Sequence, residues 1–104
     1  MSEFGDTTLK QACEEFIEHL RASGKSERTI YTYGKDLEQV RAYFREGKLL
    51  ANILPPHVSG FLKSDQLRMM NRGGIQRERA KPTIDKTIRV FKMLMEWARE
   101  RNEN

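Results

Sequence analysis

Apolar side chains in this chain recur every third or fourth residue, a spacing that admits helices and leaves little room for strands. Leu9, Ala12, Cys13, Phe16, Ile17 and Leu20 line one side of a helix predicted over 8–23, and Gly24 stops it. Ser26 is a good cap for a second helix over 26–46, because its hydroxyl can accept an unpaired first-turn N–H. Ile30, Tyr33, Leu37, Val40 and Phe44 form that helix's stripe. The Pro55-Pro56 pair opens a third helix over 55–70, where a missing N–H costs nothing, with Val58, Phe61, Leu62 and Leu67 as its apolar residues. A fourth spans 82–101, its core face read as Ile84, Ile88, Phe91, Leu94, Met95 and Ala98. The short apolar run 49–54, bounded by prolines, reads as a buried connector. Residues 71–81 are basic, carry Gly73-Gly74 and are poor in apolar anchors, so they read as a mobile loop, and residues 1–7 as a flexible N-terminus. The expected fold is all-α: a bundle of four helices in one domain over 8–101.

Charge is segregated along this scaffold. Residues 1–24 carry a net −3, residues 25–48 a net +2 and residues 63–101 a net +6, so the overall +4 hides a basic C-terminal half facing an acidic start. No apolar run approaches the length of a membrane span, and the first residues lack the layout of a secretory signal. One cysteine, Cys13, allows no internal disulfide and fits a reducing, cytoplasmic setting.

Catalytic chemistry finds few footholds. His19 and His57 have no partners at metal-ligand spacing, Cys13 and His19 fall on different faces of one helix, and the glycine pair follows no strand of a phosphate loop. No metal, cofactor or catalytic residue is expected.

The polar faces are more informative. At 100° per residue, Arg28, Tyr31, Thr32, Lys35 and Gln39 cluster opposite the second helix's stripe. On the fourth helix Lys86, Arg89 and Met93 lie opposite the core, with Lys92 on the flank and Arg77, Arg79 and Lys81 in the loop leading in. Cations mixed with short hydroxyls and an aromatic suit duplex DNA: charges neutralise phosphates and release counterions, while Thr and Tyr reach phosphate or base edges. Ser26 and Thr83 mark helix starts, whose free N–H groups favour anions. An ordinary solvated surface would look much the same. Trp97 reads as a packing residue, His57 as an exposed polar one, and Tyr33 as buried.

From the second helix onward the residues resemble a known pattern. Ser26-x-x-Thr29-x-x-x-Tyr33-x-x-Asp36-Leu37 is similar to the second helix of the N-terminal core-binding, SAM-like domain of tyrosine recombinases, the phage integrase family. Phe16-x-x-x-Leu20 resembles the end of that domain's first helix, Pro55-Pro56-His57-Val58-x-x-Phe61-Leu62 the start of its third, and Thr83-Ile84-x-Lys86-x-Ile88-x-x-Phe91-Lys92-x-Leu94-x-x-Trp97 its fourth. The resemblance implies half of a clamp around double-stranded DNA at a core recombination site. Its second and fourth helices would face the major groove, with Thr29, Tyr31, Thr32, Lys35 and Lys86 at contact positions. Arg28, Arg79, Lys81, Thr83 and Arg89 complete the expected DNA-binding set. Asp85 and Thr87 depart from the family pattern, which often has a polar amide and a basic residue there. The family's catalytic domain, with its Arg, Lys, His and nucleophilic Tyr, is expected to be absent from this chain. The expectation is therefore an isolated DNA-binding domain, monomeric alone, from a parent that assembles as a tetramer on DNA. The competing reading is a helical protein-interaction module docking through the acidic first helix.

Overall fold

The computed structural model describes residues 5–102. Helices α1 (Leu9–Ala22), α2 (Glu27–Phe44), α3 (Pro55–Leu62), α4 (Asp65–Arg68) and α5 (Lys81–Asn102) are joined by short connectors, with one hairpin, β1 (Met69–Arg72) and β2 (Ile75–Glu78), between α4 and α5. The architecture is helical, with α1, α2, α3 and α5 as its main helices. It measures 45 × 33 × 20 Å along its principal axes.

Each start of the two leading helices is accounted for at the level of single donors. Thr8 Oγ1 accepts from Gln11 N, and Gln11 returns its side-chain oxygen to Thr8 N. Leu9 N and Lys10 N, which have no partner within the helix, donate to Lys48 O and Glu46 O from the α2–α3 connector. Thr7 O, in the segment expected to be flexible, accepts from Leu50 N; Met1–Phe4 of that segment lie outside the described residues. Ser26 Oγ caps α2 by accepting from Thr29 N at 3.1 Å. At α3 the exposed His57 helps to start the helix, its Nδ1 accepting from Leu54 N.

The core is where the stripes meet. Phe44, Phe61 and Phe91 sit with ring centroids 5.5–5.7 Å apart, and Tyr43 closes against Phe44 and Phe61. Leu9, Leu37, Val40, Leu50, Leu67, Val90 and Leu94 are fully buried around them. The connector at 49–54 buries Leu50 and Ile53 as expected, but leaves Leu54 exposed. Trp97 packs against Phe16 and His19 at the bundle's margin.

Three features depart from the sequence reading. The helix expected over 55–70 breaks at Lys63, and Ser64 caps a separate single turn, α4. The expected mobile loop is an antiparallel hairpin: Met69 pairs with Glu78, Met70 with Arg77, Asn71 with Gln76 and Arg72 with Ile75. Gly73 and Gly74 both take positive φ (62° and 82°), the conformation a two-residue type I′ turn demands. Finally, the core face of α5 is rotated from the expected one. Thr87 and Val90 are fully buried, whereas Ile88 and Met95 are only partly so.

Candidate nucleic-acid interface

The rotation of α5 follows from one buried carboxylate. Asp36, in the middle of α2 and only 5% exposed, sits between that helix's core stripe and its polar face. Its Oδ1 accepts from Thr87 Oγ1 at 2.8 Å, and Lys86 Nζ stands 3.1 Å from Oδ2 as an ion pair. A buried carboxylate needs such partners, because leaving it unpaired in a low-dielectric site is costly. Thr87, a departure from the family pattern, thus serves as a core hydroxyl. Lys86 also lies over the Tyr33 ring, which is half-buried rather than buried.

This seam corrects the expected site at Lys86. The residue lies about 100° from Thr87 on the helix, its side chain is 34% exposed, and its charge is committed to Asp36. It is neither opposite the core nor free. Asp36 and Thr87 are the organising residues that the sequence reading missed. The available signals were an acid next to Leu37 at the stripe's edge and a hydroxyl among the apolar positions of α5.

The seam sets the α2 polar face beside the Lys86 side of α5. Arg28 and Tyr31 project into solvent, Tyr31 with 65% exposure. Lys35 Nζ lies 5.4 Å from the Tyr31 ring centroid and 3.7 Å from Glu38. Thr29 and Thr32 are half-buried, and Thr32 Oγ1 donates to Thr29 O, which leaves its lone pairs available to an incoming donor. On α5, Arg89 is exposed, and among the described residues neither it nor Arg28 has an ion-pair partner. Thr83 is exposed on the first turn, its carbonyl accepting from Thr87 Oγ1.

Two expected contacts are held elsewhere. Arg79 Nη1 donates to Leu67 O at 3.0 Å and its backbone N to Arg68 O, so this arginine bolts the hairpin's base to α4. Lys81 Nζ is paired with Asp85 at 2.8 Å and lies about 140° around α5 from Lys86. Arg28, Tyr31, Thr32 and Lys35 thus share one side of α2. Lys86, which touches that helix at Asp36 and Tyr33, shares a side of α5 with Thr83 and Arg89, each about 60° from it, whereas Arg79 is engaged with α4 and Lys81 with Asp85.

Elsewhere the surface is differently built. On α1, Glu18 pairs with Arg21 and Glu15 with Arg101. Burial pushes the Cys13 thiol up to about 12, which keeps it protonated and unreactive at neutral pH. Among the described residues no group of three His, Cys, Asp or Glu side chains could hold a metal ion, and no helix is long and apolar enough to cross a membrane.

No curated protein and no solved structure matches the chain significantly. A family profile does: the phage integrase N-terminal SAM-like domain matches residues 13–102, from within α1 to the end of α5. With the helices, their order and the polar seam already in place, the chain belongs to the phage integrase N-terminal SAM-like domain family, whose members serve DNA binding in recombination.

Proposed function

We propose that this domain grips duplex DNA at a core recombination site, laying the joined polar faces of α2 and α5 against the major groove. The observation that carries the reading is the pair of unneutralised guanidiniums, Arg28 and Arg89, flanking an exposed Tyr31 and two threonine hydroxyls on helices locked side by side by Asp36. Arginines without internal partners are available to phosphates, and each phosphate neutralised releases counterions. Tyr31 and Thr29 add uncharged donors that fix register or reach base edges, and Thr32, whose hydroxyl proton is already given to Thr29 O, offers an acceptor to a base-edge donor. Lys35 and Lys86 take part only by exchanging Glu38 and Asp36 for phosphate. The acidic face of α1 offers less to a protein partner, since two of its carboxylates are already paired within the domain.

The test is a salt titration against duplex DNA. The parent domain should bind in the range of about 10⁻⁴ to 10⁻⁶ M near physiological salt, as sequence-independent contacts do. Arg28→Ala/Arg89→Ala should keep the melting temperature, lose most binding and lower the salt slope by roughly 0.9 per charge removed. Tyr31→Ala should weaken binding with the slope unchanged. Lys10→Ala, on the exposed side of α1, should change neither. A double variant that titrates like the parent overturns the assignment of the face.

A further inference from the structure

Among the described residues, the hairpin is the one element without a core side. Its two strands pair over four residues each, and among those eight only Met69 is even partly buried. Two-stranded hairpins are marginal in water unless something holds them. Here the base is held by Arg79 reaching Leu67 O, by Arg68 Nε donating to Leu62 O, and by the fully buried Leu67. Everything beyond that base stands in solvent.

The register sorts its side chains. Residues directly opposite share a face, so Met70, Arg72, Ile75 and Arg77 lie on one side and Met69, Asn71, Gln76 and Glu78 on the other. The first face carries two cations and no acid, and among the described residues neither arginine has an ion-pair partner. Between them Ile75 is 58% exposed, and Met70 is exposed as well. Bare aliphatic surface framed by unpaired guanidiniums fits a partner that is anionic at its edges and offers apolar or flat surface between them.

We propose that this face is a third DNA-contacting element, a ribbon that enters the major groove beside the helices. The inference rests on the function proposed above and extends it. Three observations favour duplex DNA over a protein: the charge of the face, the form of the element, and its position. A major groove about 12 Å wide admits a two-stranded ribbon, whereas a minor groove about 6 Å wide does not do so readily. The hairpin is also tethered to both helices that carry the proposed interface. Gln66 of α4, three residues before β1, donates to Gln39 on the polar face of α2 at 2.7 Å, and β2 runs into α5 after two residues. Seated in the groove, Arg72 and Arg77 donate to guanine O6 and N7, and Ile75 packs on a thymine methyl.

The experiment compares the parent with Arg72→Ala/Arg77→Ala and with Ile75→Ser on a mixed-sequence 30-base-pair duplex. It then repeats the comparison on the same duplex carrying 7-deazaguanine or inosine in place of guanine. Both variants should keep the parent's melting temperature, because the substituted side chains are exposed. The double arginine variant should bind at least about tenfold more weakly, and Ile75→Ser several-fold more weakly with an unchanged salt slope. The gap between the parent and the arginine variant should narrow on 7-deazaguanine, which lacks the major-groove N7, and persist on inosine, which lacks only the minor-groove amine. If the parent binds and either hairpin variant binds equally well, the ribbon inference is overturned while the helical interface stands. A gap insensitive to 7-deazaguanine, or one that closes on inosine, overturns its place in the major groove. If the parent binds no duplex, the proposed function fails and the ribbon with it.

Discussion

The aromatic centre of the bundle and the hairpin beside it are both built from ordinary residues, yet they answer to different constraints. Phe44, Phe61 and Phe91 are held by one another, and each fixes the axes of the helices that carry it. The hairpin's side chains hold almost nothing inside the domain, and its structure hangs on a glycine turn and an arginine at the base. Side chains that stabilise a fold are committed to it, whereas side chains left uncommitted on an ordered scaffold are available to a partner. The same contrast runs through the charges: Lys86 and Arg79 serve the fold, while Arg28, Arg89, Arg72 and Arg77 do not.

Substitutions should separate the two regions by size of effect. Phe61→Ala removes the ring shared by three aromatic neighbours and should cost about 3–5 kcal/mol, read as a large fall in melting temperature with loss of DNA binding. A melt matching the parent's would break the view that this cluster is the structural centre.

Alkaline pH should weaken the bundle through Cys13. Its folded-state value is raised above that of an open thiol to about 12, so the native state holds its proton after the unfolded chain has released it. Its stabilising effect is complete below about pH 9 and is lost as pH rises toward about 12, at up to about 1.4 kcal/mol per pH unit. Parallel melts of the parent and Cys13→Ala should converge over that window.

Lys86→Ala leaves Asp36 Oδ2 buried without its cation and should cost about 1–3 kcal/mol. Arg89→Ala, three residues on, should cost nothing measurable, and equal melts for the two would remove the distinction drawn between committed and uncommitted charge.

Smaller still is the backbone term at Arg45, which ends α2 with φ 77° and ψ 147°, a region favourable only to glycine. Arg45→Gly should stabilise the domain by about 1 kcal/mol in a denaturant titration. Gln76→Ala on the hairpin should change stability by less than about 0.5 kcal/mol, and amide exchange near Gly73 and Gly74 should be far faster than at Leu37 or Leu94.

What could be read in the sequence tracks the same division. The helices were legible because each buries one side, and burial on one side of a helix leaves a 3-4 rhythm. The hairpin left no such rhythm. Both of its faces are wet, so Met70, Asn71, Arg72, Ile75, Gln76 and Arg77 show no alternation of apolar and polar residues. Gly73-Gly74 was a sufficient turn signal, but one normally trusted only between alternating apolar residues. The α2 half of the candidate site was readable, because Arg28, Tyr31 and Lys35 project as their positions dictate. The α5 half was not. Asp36 draws Thr87 inward and Lys86 to the seam, and a contact between residues 51 positions apart is invisible to local periodicity.

The dimensions of the domain carry a consequence for the length of DNA it can cover. Its longest axis, 45 Å, equals about 13 base-pair steps at roughly 3.4 Å each. Its shortest, 20 Å, is about the breadth of a helix packed with one neighbour. A slab of that shape can follow one side of a duplex for little more than a turn, and it is too thin to reach around to the other. Protection of the phosphates on a bound duplex should therefore be one-sided and about 13 base pairs or fewer in extent, with the opposite side left open to a second body.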